Sequence, residues 1–171
     1  MNILGEIRGW KKKPRELVEF LVERVKRNKH LFGELVEGLK NGVDVEKGTC
    51  ATVMSRVAKS EPEIAEPHVE EIIKFIGYKA PRVKWGTSET IAHIAQKFPE
   101  RAMKAVPKLL INAKDESTVV RWCAALALSE ILMNNEKTRK TLLPKINGIV
   151  KKEKNNGVKN VYLKALKVIE E

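Results

Sequence analysis

The chain has 171 residues, 43% of them hydrophobic, enough to bury a core in one compact domain or one short repeat array. Its 33 Lys and Arg against 22 Asp and Glu give a net charge of +11, which favours anionic partners. No apolar run reaches the roughly 20 residues of a membrane helix, the opening MNILGEIRGWKKK has no secretory h-region, and two distant cysteines exclude both a disulfide scaffold and a paired-cysteine metal site. A soluble, cytoplasmic protein with no membrane partner is the expectation.

In chain order, a short apolar segment, Ile3, Leu4, Ile7 and Trp10, precedes Pro14, which opens a helix running to about Arg27. Leu17, Phe20, Leu21 and Val25 form its buried stripe. A helix from about Lys29 to Leu39 follows and ends at Asn41-Gly42. Thereafter the spacing gives helices over about Val45 to Lys59, Pro62 to Phe75, Pro81 to Phe98, Pro99 to Ala113, Ser117 to Met133, Glu136 to Lys152, and Val158 to the end. Residues 1–28 read as N-terminal capping helices and 29–171 as a repeat array, the two forming one domain.

The repeat is carried by Val45, Val83, Val120 and Val158, which lie 38, 37 and 38 residues apart. A charged residue follows each (Glu46, Lys84, Arg121, Lys159), and small and aliphatic residues then recur at helical spacing. A period in this range marks a solenoid of stacked helix pairs. Outer helices with an internal proline (Pro107, Pro144), a turn with Asp115, and then Val120, Arg121, Ala124, Ala125, Ala127, Leu128 and Ile131 resemble a HEAT repeat, most clearly in the third pair. The resemblance implies an all-α, armadillo-like superhelix of antiparallel helix pairs, with the second helix of each pair lining a concave face.

Projected at 100° per residue, the inner helices bury the opening Val and the positions three, four, seven, eight and eleven residues on. The residue two places on points outward: Lys47, Trp85, Trp122 and Asn160. Glu89, Leu126 and Lys164 extend that strip. Exposed tryptophans on consecutive helices of a concavity are a binding signal, because Trp dominates many interfaces. Lys84, Arg121 and Lys159 lie beside them as a candidate anion-binding row, with Asp115 also placed to hold Arg121 at the turn.

No Gly-rich phosphate loop, nucleophile elbow or HExxH motif occurs, so no catalytic residue, cofactor or metal is expected. Glu89 and His93, four apart on one helix, have no third ligand near in sequence. The leading reading is a non-enzymatic interaction module holding a protein or peptide, acidic in character, on the concave face. The alternative is nucleic-acid binding through cations alternating with indoles. Trp85, Glu89 and Arg121 are similar to the set with which HEAT-like alkylpurine DNA glycosylases hold a damaged nucleotide, although those enzymes use Asp where this chain has Glu89. Finally, the last helix carries Leu163, Val168 and Ile169 with no repeat after them, which opens the prospect of a homodimer.

Overall fold

The computed structural model describes residues 2–171, and these form helices and turns without a strand. Two helices come first, α1 (Ile3–Gly9) and α2 (Pro14–Arg27), then α3 (Leu31–Asn41) and α4 (Asp44–Ser60). The next outer arm is broken into α5 (Pro62–Ala65), a 3₁₀ turn (Glu66–His68) and α6 (Val69–Lys74), and its inner partner is α7 (Pro81–Lys97). The following arm repeats this division as α8 (Pro99–Ala102), a 3₁₀ turn (Met103–Ala105) and α9 (Val106–Asn112), with α10 (Thr118–Asn134) inside it. A last pair, α11 (Glu136–Lys152) and α12 (Asn156–Glu170), completes the array.

Local chemistry sets these boundaries. Proline occupies the first turn of α2, α5, α7 and α8, where its missing N–H costs nothing. Ser117, Asn135 and Asn155 cap α10, α11 and α12 by accepting the amides of Val120, Thr138 and Val158. The outer arms that the spacing reads as single helices, Pro62 to Phe75 and Pro99 to Ala113, are kinked instead. Pro67 and Pro107 cannot donate to the helical ladder and crowd the carbonyl four residues back, so the chain tightens into a 3₁₀ turn at or just before each. The outer helix α11 stays continuous across Pro144.

The core is a stack of inner helices, α4 on α7, α7 on α10 and α10 on α12. Small residues make the close approach: Ala51, Ala92, Ala95, Ala124, Ala125 and Ala127 are all buried. At the N-terminal end, α1 lies against α3 and α2 against α4. Two ion pairs tie α1 in, Arg8 to Glu46 at 2.8 Å and Glu6 to Arg24. At the other end, Leu163 and Val168 of α12 are exposed.

Outer arms of neighbouring repeats are linked by Lys104–Glu70 at 2.7 Å and Lys137–Glu100 at 3.5 Å, while Lys97 at the end of α7 meets Glu63 of its own pair at 3.5 Å. These exposed pairs stabilise little individually, but they show where the acids of segment 61–80 go: Glu61 and Glu71 reach back to Lys29 and Lys40, and Glu66 and Glu70 forward to Arg101 and Lys104. No helix among the described residues is long and apolar enough to cross a membrane.

Candidate partner-binding face

The helices α4, α7 and α10 begin at Asp44, Pro81 and Thr118, so their common period is 37 residues. That register corrects the reading of the first repeat. The buried counterpart of Val83, Val120 and Val158 is Glu46, whereas Val45 is 72% exposed. Lys47 is therefore not an outward residue but the equivalent of Lys84, Arg121 and Lys159. Each of these four is the fourth residue of its helix, and their amides donate to the cap carbonyls of Val43, Ala80, Ser117 and Asn155. Lys47 is only 7% exposed. Its ammonium donates to the carbonyls of Leu39 and Lys40 at the end of α3 and sits 5.5 Å and 5.3 Å from the Phe75 and Tyr78 rings.

In this register the basic row becomes a ladder between repeats. The cation of one repeat reaches the turn residue that lies two positions before the cap of the next inner helix. For Lys47 this residue is Tyr78, met through its ring face. Lys84 reaches the Asp115 carboxylate at 2.7 Å. Arg121 takes Glu153, with Nε 3.0 Å from one carboxylate oxygen and Nη2 3.4 Å from the other. Its Nη1 donates to the Asp115 and Glu116 carbonyls.

Asp115 therefore serves Arg121 only through its carbonyl and gives its carboxylate to Lys84. Glu153 plays in the fourth turn the part that Asp115 plays in the third. It accepts the Asn155 amide just as Asp115 accepts that of Ser117, both at 2.9 Å. That two-residue spacing was the signal that could have found it. Lys159 is half-buried at the end of the ladder with no following turn.

These pairings hold the carboxylates ionised. Burial pushes Asp115 and Glu153 upward, yet Lys84 and the Ser117 amide for one, and the Asn155 amide and Arg121 for the other, bring both below the usual range. Arg8 and the Val43 amide do the same for Glu46. A depressed folded-state value contributes stability above the unfolded value, near pH 4, and that contribution disappears as the pH falls through the folded one. Urea midpoints measured against pH are expected to be flat near neutrality and to fall below about pH 4.

Along the inner helices the row two places after the buried opening residue is Gly48, Trp85, Trp122 and Asn160. Trp122 is 39% exposed, flanked by exposed Val119 and half-buried Leu126 on α10. Trp85 lies lower: it is half-buried, and its indole N–H is shielded from solvent without an acceptor. Gly48 leaves the space that Arg82 crosses, because a Cβ there would stand 2.9 Å from the Arg82 Cδ. Arg82 donates to Thr52 Oγ1 at 3.3 Å and meets no carboxylate among the described residues. Burial works against its charge.

Glu89 is half-buried, 3.7 Å from His93 Nε2, and its carboxyl is held low first by that imidazole and also by Ser55. Asn160 and Lys164 are exposed on α12. Of Trp85, Glu89 and Arg121, the last has its guanidinium engaged by Glu153 and two turn carbonyls. Burial pushes both the Cys50 and Cys123 thiols up to about 12, leaving them protonated and unreactive at neutral pH. No three His, Cys, Asp or Glu among the described residues come together as a metal site.

No protein-family model matches the sequence, and no curated protein matches it significantly. Solved structures do. A designed armadillo repeat protein in complex with the peptide (KR)4 aligns with a TM-score of 0.72 at 17% identity, over 90% of this chain and 68% of its own. A computationally designed armadillo repeat protein for modular peptide recognition gives 0.70 at 20% identity over the same shares. An engineered protein gives 0.75 at 16% identity, over 98% of this chain and 84% of its own. At these identities the likeness concerns architecture, and the three-segment repeats, the inner stack and these alignments agree on it: the fold is an armadillo/HEAT-like α-solenoid.

Proposed function

We propose that this solenoid is a non-enzymatic scaffold that binds an extended peptide segment of a partner protein along its concave face. The observation that carries this reading is Trp122, a large aromatic standing open in the groove between Val119 and Leu126, with Trp85 beside it on the next helix. An open indole in a concavity is the kind of group that dominates binding energy once it is desolvated. The partner's chemistry follows from what surrounds it. Arg82 lacks a carboxylate, and Arg56, Lys59 and Lys164 are exposed along the inner helices, so an apolar segment flanked by acidic residues fits best. Lys84 and Arg121 are engaged in the ladder, which leaves only Lys159 of that row free among the described residues and speaks for a peptide over nucleic acid there.

The test is selection from a random peptide library against the wild-type protein. Selected ligands are expected to pair aromatic or aliphatic residues with Asp or Glu. They should lose roughly tenfold or more in affinity on Trp122→Ala, with circular dichroism unchanged. Ligands that bind a Trp85→Ala/Trp122→Ala variant as tightly as wild type would place recognition elsewhere.

A further inference from the structure

A second surface lies between the outer helices α9 and α11 and the turns that follow them. Near its N-terminus α11 is tied to the preceding arm, where Asn135 Nδ2 and Thr138 Oγ1 meet Met103 Sδ at 3.3 Å and 3.7 Å. Toward the C-terminal ends of α9 and α11 the layer parts into an open cleft of about 750 Å³. Leu110, Ala113 and Ile149 form its floor, and Lys114, Lys145, Lys152 and Lys154 stand around it. The acids that line it, Asp115 and Glu153, are already matched by Lys84 and Arg121, so its field belongs to the four lysines. None of the four has an ion-pair partner among the described residues.

Gly148 lies on the wall of this opening. It lies inside α11, where glycine lowers helix stability by about 0.5–1 kcal/mol relative to alanine. Packing does not require it: a Cβ there would meet nothing within 4 Å. Lys145, Gly148, Ile149 and Lys152 share one helical face, on which Gly148 places no side chain between the lysines.

We infer that this cleft docks a short acidic peptide segment bearing an aliphatic side chain, the aliphatic group on the Leu110–Ala113–Ile149 floor and the carboxylates among the four lysines. The volume lies in the range of ligand sites. A peptide is favoured over a nucleic-acid strand because no aromatic side chain lines the cleft to stack a base, while the apolar floor has no counterpart in a phosphate backbone.

The probe is a fluorescein-labelled peptide Glu-Asp-Leu-Asp-Glu, with its Leu→Ser version and a labelled oligothymidine as the other arms. Polarisation titrations are expected to show the Leu peptide binding wild type more tightly than either. Gly148→Trp, which fills the opening, should weaken it roughly tenfold, and Lys145→Gln/Lys152→Gln by a few fold. In a Trp122→Ala background, which removes the concave groove's contribution, the Leu peptide should still bind with the same dependence on Gly148 and the lysines, which separates this cleft from the concave groove. Helical content is read alongside, and the lysine variant serves if the tryptophan unsettles α11. Equal binding of the Ser peptide, tighter binding of the oligothymidine, or indifference to both Gly148→Trp and the lysine changes would each overturn the inference.

Discussion

Replacing Arg121 by alanine is expected to destabilise the solenoid by about 3 kcal/mol, because it strands a nearly buried carboxylate. The Glu153 side chain is 5% exposed and Arg121 is its cation, while the same guanidinium also satisfies the Asp115 and Glu116 carbonyls. Removing one member of such a pair leaves the other desolvated and uncompensated, which costs far more than an exposed pair contributes. Lys84→Ala should cost less, since Lys84 and Asp115 are 22% and 17% exposed and water can replace the lost partner. Arg121→Lys should recover only part of the loss, because an ammonium cannot serve the carboxylate and two carbonyls with the guanidinium's fixed fork.

The pH dependence separates charge from packing. In wild type, acid removes the stability held by Glu153, whose folded-state value is depressed. In Arg121→Ala the buried carboxyl resists ionisation, so the variant's deficit should shrink as the pH is lowered toward the ordinary carboxylate range. Denaturant titrations of wild type, both singles and the Arg121→Ala/Glu153→Ala double variant measure the coupling directly. A deficit that is independent of pH and strictly additive in the double variant would mean that Arg121 acts through its aliphatic stem alone.

The second large effect is at Gly86. A Cβ there would lie 2.7 Å from the Ala51 Cβ and 2.9 Å from the Ala51 carbonyl carbon, so α4 and α7 would have to separate. Backbone cannot swing aside as a side chain end can. Overpacking of this kind costs typically 1–3 kcal/mol, and here it should outweigh the helix-propensity gain of about 1 kcal/mol that alanine brings. Gly86→Ala is therefore expected to lose about 2 kcal/mol, whereas Gly148→Ala, with nothing within 4 Å, should gain up to about 1 kcal/mol. Thermal melts of both read opposite signs from one chemical change. Because Trp85 neighbours Gly86, the first variant should also perturb the groove.

The all-helical solenoid was legible because its signals are local. Prolines mark helix starts, Asn and Ser mark caps, and the alanine-rich faces repeat at a helical period. The first repeat was misregistered for a reason local patterns cannot reveal. An acid at the buried opening position looks wrong until Arg8 arrives from α1, 38 residues earlier, to pair with Glu46. Lys47 likewise looks like a surface lysine until the carbonyls of α3 and the rings of Phe75 and Tyr78 close over it.

Of the candidate strip, which the projection turned outward throughout, Trp122, Asn160 and Lys164 are exposed and Leu126 and Glu89 are half-buried. It could not anticipate that Trp85 sinks further into the stack, since that depends on the spacing of neighbouring helices. The lysine cleft was out of reach for a similar reason. It exists only because two outer helices, in contact at one end, part at the other.

The most direct test uses the three tryptophans as reporters. Their indole N–H signals in a proton–nitrogen NMR spectrum can be followed while a peptide selected on the wild-type protein is added. The Trp10 indole donates to the Lys13 carbonyl at 3.1 Å, far along the chain from the groove, and serves as the internal control. Recognition on the concave face requires the Trp122 signal to shift with saturation, Trp85 to follow and Trp10 to stay. Saturating binding with Trp85 and Trp122 both unmoved would contradict it.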